Sequence, residues 1–448
     1  MKTLSDSGYW QQCRTQPLHI KWALFTSVVF CFAIFTYVAL TNLSVLTLLL
    51  AAPFAWWGFY KSQQNLETDE RVFLSLITLI CAWDVMVSLM AGHGLGEALK
   101  ALLHDGRTFA FVVVLWALFT NVLLARTAFY AILTTVVVMA SINLVMTLTG
   151  VIPQGKYFSY EFLHMSHLSH MYGQALVGLF FVLAQMWLVR PSLSWRVLLP
   201  MAFLVLSLFL ASERRTGYIL LLAGFGVWGL LNAKRLFVGK YKWWLVLAAL
   251  AGVVVAVSSS VVQSRMVLAV AEFNQYLAMT PQERATSMLG SVSVRMQYMV
   301  TIWEAIRQSN WWVGVGSIDL PDAYQAAARQ LGVSQQAWGT YNWSNPHNEY
   351  LHTLATKGLV GLLLYLAIFA QACRVAWGKT DEVQRIGLVM FVFLFLLSIT
   401  TNSMMIDMEE GHFTMIILLI FLAPRALNIS IGSTTKLKNS HEGLVQSL

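Results

Sequence analysis

An all-α polytopic membrane protein is the fold class this sequence predicts, with about twelve transmembrane helices and one large, mostly helical loop on the outer side. Three observations predict it. Of 448 residues, 58% are hydrophobic and only 11% charged, a composition that a water-soluble fold cannot solvate. Apolar runs recur at close to the length a bilayer requires, about 20 residues per helix. One stretch, 263–350, interrupts that rhythm. Together these exclude a disordered chain, a disulfide scaffold and a nucleic-acid-binding domain. The net charge of +8 is informative only after the cations are sorted by side.

The first long run starts at Trp22, after a polar segment with Lys2, Arg14 and Lys21. No small-residue cleavage site follows it, so it reads as a signal anchor. Runs then follow at 22–40, 43–60, 72–91, 108–125, 128–149, 172–189, 197–211, 216–231 and 243–262. After the long loop come 351–373, 386–402 and 412–427, each read as a span. The expected organisation is a bundle of spans one to nine over 1–262, an outer domain over 263–350, spans ten to twelve over 351–427, and a polar tail over 428–448. With the N-terminus inside, eighteen of the 29 Lys and Arg fall on cytoplasmic segments, which puts both termini in the cytoplasm. Lys234, Arg235, Lys240 and Lys242 mark that orientation most clearly and read as an anchor to anionic membrane lipids.

The outer stretch is amphipathic. Trp303, Trp311, Trp312, Trp338 and Trp343 suit a domain lying on the bilayer interface. Cys13, Cys31, Cys81 and Cys373 fall in spans or on the inner side, leaving the outer domain no thiol for a disulfide or a metal.

Ser344-Asn345-Pro346-His347-Asn348 precedes the tenth span and reads as a helix start, with Asn345 or Ser344 as cap and Pro346 in the first helical position. His347 would then sit in the first turn, where the helix N-terminus favours the neutral imidazole a base needs and attracts phosphate. At helical spacing Leu351, Leu354, Gly358 and Gly361 share its face, giving a smooth groove running into the membrane. The alternative is a capping histidine above a close helix contact made by the glycines. A second helix is expected over 291–309, with Val292, Met299, Ile302, Trp303 and Ile306 as its buried stripe and Arg295 at the stripe's edge.

Pro346-His347-Asn348, nine residues, then Gly358-Leu359-Val360-Gly361 fits the pattern H-[NSQ]-x9-G-x-x-[GTY], which resembles the signature of bacterial O-antigen ligases. Arg295, Trp303 and the turn Gly314-Val315-Gly316 resemble that family's R-x7-W followed by G-x-G. Ser212-Glu213-Arg214-Arg215-Thr216-Gly217 resembles its S-x-S-R element, with Arg215 at the arginine and Arg214 where a serine is expected.

The resemblance implies a glycosyltransferase of GT-C-like fold in the bacterial inner membrane, its active site periplasmic. Its donor would be polysaccharide on undecaprenyl diphosphate and its acceptor lipid A-core oligosaccharide. It implies no cofactor, no metal and no nucleic-acid partner. His347 becomes the candidate base; Arg215, Arg295, Arg214 and Asn348 become the candidates for binding diphosphate or substrate, and Pro346, Gly358, Gly361, Trp303, Gly314 and Gly316 the motif residues that shape the site. The two arginine sites keep a bland reading as well, a pairing of the 214–215 cations with Glu213 or lipid phosphate and a snorkelling Arg295.

Two rivals stand beside this reading. An O-antigen polymerase or protein O-oligosaccharyltransferase would share donor and architecture but not acceptor. A transporter or flippase would show charges inside the spans, of which Asp84 is the clearest. His164, His167 and His170 are badly spaced for a metal and read as a polar loop. His93, His104 and His352 have no partner that sequence identifies, and Asp407, Glu409 and Glu410 read as a solvated turn.

Overall fold

The structure is a computed structural model and describes residues 7–35, 38–62, 65–151, 159–160, 163–164, 169–189, 194–211, 215–238, 260–287, 289–333, 345–379, 381–405, 408–425 and 427. Its helices are α1 (Ser7–Thr15), α2 (Leu18–Ala33), α3 (Val38–Lys61), α4 (Thr68–Met90), α5 (Leu95–Ala101), α6 (Arg107–Phe119), α7 (Val122–Leu148), α8 (Ser169–Val189), α9 (Ser194–Leu206) and α10 (Arg215–Leu231). They continue as α11 (Ala233–Val238), α12 (Ser260–Ala278), α13 (Pro281–Thr286), α14 (Ser291–Gln308), α15 (Leu320–Gln330), α16 (Glu349–Trp377), α17 (Glu382–Ser398) and α18 (Met408–Leu422). The described strands are two-residue pieces, Ser159–Tyr160 and Leu163–His164, paired antiparallel.

Among the described residues, six helices are long and apolar enough to cross a membrane: Ala39–Lys61, Thr68–Met90, Leu95–Phe119, Val122–Leu148, Met171–Val189 and Glu349–Trp377. Four of the remaining expected spans fall on shorter apolar helices, Leu18–Ala33, Trp195–Leu210, Thr216–Leu231 and Glu410–Leu422, and another on α17. The run at 243–262 lies almost wholly outside the described residues. Leu50, Trp57, Leu222 and Leu230 are 66% to 78% exposed. Water would not tolerate such a belt, whereas lipid does. The chain is an integral membrane protein.

Two boundaries differ from those read from hydropathy. The run at 108–125 ends at Phe119, because Asn121 caps α7 by accepting from the Leu123 and Leu124 amides at 3.0 and 3.2 Å. The same span begins further back than the apolar run, since α5 continues into α6 through a π-helical turn at Leu102–Gly106.

The bundle core packs α8 against α9, α10 and α17, α4 against α16, α2 against α3 and α7, and α6 against α3 and α18. A second, smaller core lies within 263–350, where Tyr298, Ile302 and Ile306 of α14 meet Leu320, Tyr324 and Ala328 of α15. Leu354 and Ala355 of α16 belong to this second core. The first two turns of α16 therefore serve both parts of the molecule, and the site lies where they do.

Candidate active site

The helix start is displaced from its expected place. Asn348 is the cap, its Oδ1 accepting from the Leu351 amide at 3.0 Å while its Nδ2 donates to the Thr400 carbonyl at 2.8 Å. Asn345 instead makes a tight turn, its Oδ1 accepting from the His347 amide at 2.8 Å. That turn holds His347 at φ 50°, the one non-glycine residue with positive φ among those described. His347 thus stands before the helix, not in its first turn. Asn, Asp and His are the side chains that tolerate this region, and strain of this sort gathers at functional positions.

The imidazole is half-buried, stacks on Tyr298 of α14 with ring centroids 5.5 Å apart, and hydrogen-bonds the Asn402 side chain. Its Nδ1 is buried with no partner among the described residues. Burial, and after it the Arg295 guanidinium, hold its pKa below the ordinary value, against the Asn402 bond, which raises it. From the sequence the expected cause is a helix N-terminus; in the structure it is desolvation and then a neighbouring cation. The result is a neutral imidazole at neutral pH with one unsatisfied nitrogen, which is what a general base requires.

Arg295 is half-buried on α14, with Nη1 3.5 Å from Ser291 Oγ. The expected buried stripe of this helix is rotated. Ser293, Gln297, Tyr298, Thr301, Ile302, Ala305 and Ile306 are buried, whereas Val292 and Met299 are half-buried and Trp303 is 46% exposed. Polar residues face inward because α12 supplies their partners: Tyr276 Oη donates to Gln297 at 2.8 Å and Ser293 Oγ to the Glu272 carbonyl at 2.8 Å.

The expected groove below His347 is filled. Gly358 has φ 64° and ψ −171°, so α16 breaks there and its two halves do not share one face. A Cβ at Gly358 would lie 2.2 Å from the Trp312 carbonyl oxygen, and one at Gly314 would lie 2.6 Å from the Ala355 oxygen. The turn at 310–316 is pressed against the break with backbone touching backbone. Gly314 and Gly316 both have positive φ, which lets the turn point its amides at the freed carbonyls. Gly361 packs beside Trp83, where a Cβ would come 3.5 Å from the indole.

Beneath this lies a polar cluster that sequence reasoning did not assemble. Asp84 forms a buried ion pair with Lys357, 2.9 Å apart, and Asp105 stands 4.0 Å from the same ammonium. His352 meets Asp105 at 3.3 Å and His104 bonds its other oxygen. His93 pairs with Asp319 at 3.0 Å. Glu410, expected in a solvated turn, is buried and accepts from Asn402 Nδ2 at 3.0 Å. Asp407 and the Glu409 side chain lie outside the described residues, as do Arg214 and the side chains of Arg215, His164, His167 and His170. Arg215 opens α10. The described geometry therefore brings together His347, Asn348, Arg295 and the glycines, and leaves Trp303 on the surface.

A family model described as O-antigen ligase matches residues 200–366, from Pro200 in α9 to Leu366 in α16. The matched stretch contains Arg215, all of residues 263–350, His347 and the glycine motif. No curated protein matches the chain.

Proposed function

We propose, from the match of residues 200–366 to the O-antigen ligase family model, that the chain belongs to the O-antigen ligase/polymerase superfamily and joins undecaprenyl-diphosphate-linked polysaccharide to a hydroxyl of lipid A-core oligosaccharide. The observation that carries this reading is the seat of His347: an imidazole with a partnerless Nδ1, its proton affinity lowered by burial and by Arg295. The reaction asks for little else. The acceptor hydroxyl gives its proton to His347, its oxygen attacks the anomeric carbon, and the bond to the diphosphate oxygen breaks with inversion. Arg295 and Arg215, with Arg214, meet the charge developing on the departing diphosphate, a role for which a planar fork of donors is suited and which a metal fills elsewhere.

The distribution of cations supports cytoplasmic termini and a periplasmic site on the inner membrane. The polymerase and the protein O-oligosaccharyltransferase differ only in acceptor. The transporter reading loses its best residue, since Asp84 is engaged by Lys357 rather than lining an open path.

Purified protein reconstituted with lipid-linked polysaccharide and rough lipopolysaccharide, without added nucleotide or metal, should transfer polymer to the core. Lengthening of the lipid-linked chain instead would assign a polymerase. His347→Gln should lower transfer by roughly 10²- to 10⁴-fold while donor binding persists, because removing a base acts on the transition state. Near-normal transfer by that variant would remove the base from the mechanism.

A further inference from the structure

The break in α16 leaves backbone groups that a continuous helix would have satisfied, and inside a membrane protein each needs a partner. The Ala355 carbonyl accepts from the Val315 amide at 2.8 Å and the Thr356 carbonyl from Gly316 at 3.0 Å. On the far side, the Leu359 amide donates to the Trp311 carbonyl at 2.8 Å and Val360 to Trp312 at 3.4 Å. The Lys357 carbonyl, last before the break, accepts from the indole of Trp83 at 2.8 Å. Asp84, the next residue on α4, takes the ammonium of the same lysine at 2.9 Å. Consecutive residues of α4 therefore grip residue 357 by backbone and side chain at once.

We propose that Lys357, clamped by Trp83 and Asp84, is a positioning residue of this site: it fixes where α16 breaks, and through the 310–316 turn it fixes the seat of Arg295 and Tyr298 against His347. The role rests on reading His347 as the base. Lys357 acts through its neighbours and touches no substrate.

Three observations support the role. The pair is buried and its Asp84 Oδ2 has no partner among the described residues, so stability alone does not explain it; apolar residues of similar volume often serve stability as well. The second carboxylate, Asp105, is delivered by the π-helical turn at 102–106, a local departure frequent at functional sites. Finally, the 310–316 turn starts two residues after α14 ends and is bonded to α16 on both sides of Gly358, so a shift at residue 357 moves α14.

The test uses full-length protein in nanodiscs, with Lys357→Met, Asp84→Asn and the double variant. Lys357→Met should lower kcat per folded protein by about 10- to 100-fold with KM little changed. Hydrogen exchange at the amides of residues 315, 316, 359 and 360 should accelerate. The double variant, which leaves less charge unpaired, should regain unfolding temperature without regaining rate. Wild-type kcat in the double variant would make the pair merely structural and overturn the proposal, as would unchanged amide protection in Lys357→Met. Exchange does not depend on turnover, so the two readings separate: an active His347→Gln together with lost protection in Lys357→Met removes the base and keeps the clamp.

Discussion

α7 and α16 are nearly the same length, 27 and 29 residues, and both are long and apolar enough to span a membrane, yet they are built for different work. α7 buries Leu124, Ala128, Ile132, Val136 and Ala140 along one regular face. The half of α16 after Gly358 does the same with Tyr365, Ile368, Phe369, Ala372 and Val375. Its first half instead buries Glu349, His352, Thr353, Thr356 and Lys357 and then breaks at Gly358. A helix in lipid must satisfy its own backbone; only where neighbouring protein offers the missing donors and acceptors can it stop being a helix. The 310–316 turn and α4 are that protein. Irregularity in α16 falls at Gly358, where these segments supply the partners, eleven residues after His347.

Making α16 resemble α7 is the harshest test of this contrast. Gly358→Ala forces a side chain onto a positive-φ, extended-ψ backbone that is essentially glycine's alone, costing about 1–3 kcal/mol, and drives its Cβ against the Trp312 oxygen. Transfer per folded protein should fall by about 100-fold or more through misplacement of the turn, with a lower unfolding temperature. Gly226→Ala on α10, where a Cβ meets nothing within 4 Å, is the matching control and should stay within about 0.5 kcal/mol of wild type. A Gly358→Ala protein of normal activity would mean that the break is dispensable.

Arg295→Ala sharpens the comparison with a smaller effect. Loss of one charge-assisted contact to the leaving group should lower transfer by at least about tenfold. It should also move the acid limb of the pH–rate profile. Arg295 depresses the His347 pKa, so removing it raises that pKa, and the pH at which activity is lost on acidification moves upward. Arg295→Lys should keep the limb and recover little rate, because an ammonium supplies charge without the fork. An unmoved limb in the alanine variant would detach Arg295 from the base.

What could be read in advance follows the same division. Apolar run length found α4 and α8 to within a few residues and α3 and α7 with their first turns missing, since burial in lipid is a property of composition. The H-x9-G-x-x-G spacing identified His347, Gly358 and Gly361 but not their conformations. Positive φ at His347 and Gly358 is imposed by Asn345 and by the approach of Trp312, both matters of tertiary contact. The sequence Ser-Asn-Pro-His-Asn offers several caps, and Asn348 prevails because Thr400 binds its amide as well. The α14 stripe was misjudged because an interfacial helix exposes Trp303 to its surroundings while α12 satisfies buried Gln297 and Ser293. Lys357 carried one usable signal, a cation in the middle of an apolar run, and its partners Asp84 and Asp105 lie some 250 residues earlier where only the fold brings them near.

The mildest comparison uses the two caps, which do the same local chemistry on the two helices. Asn121 accepts from the Leu123 and Leu124 amides and donates to Gln16 at 3.0 Å; Asn348 accepts from Leu351 and donates to the Thr400 carbonyl. Replacing either by Ala removes a cap worth about 1 kcal/mol, so thermal unfolding should shift down by similar small amounts in both. Activity should separate them. Asn121→Ala lies at the start of a helix that contributes none of the candidate site residues, and its transfer per folded protein should match wild type. Asn348→Ala frees the residue directly after the imidazole from the Thr400 carbonyl just past α17, and should lower kcat while leaving unfolding no worse than its counterpart. Equal activity in the two would mean that His347 is seated by Asn345, Asn402 and Tyr298 alone, and that the cap of α16 is no more than a cap.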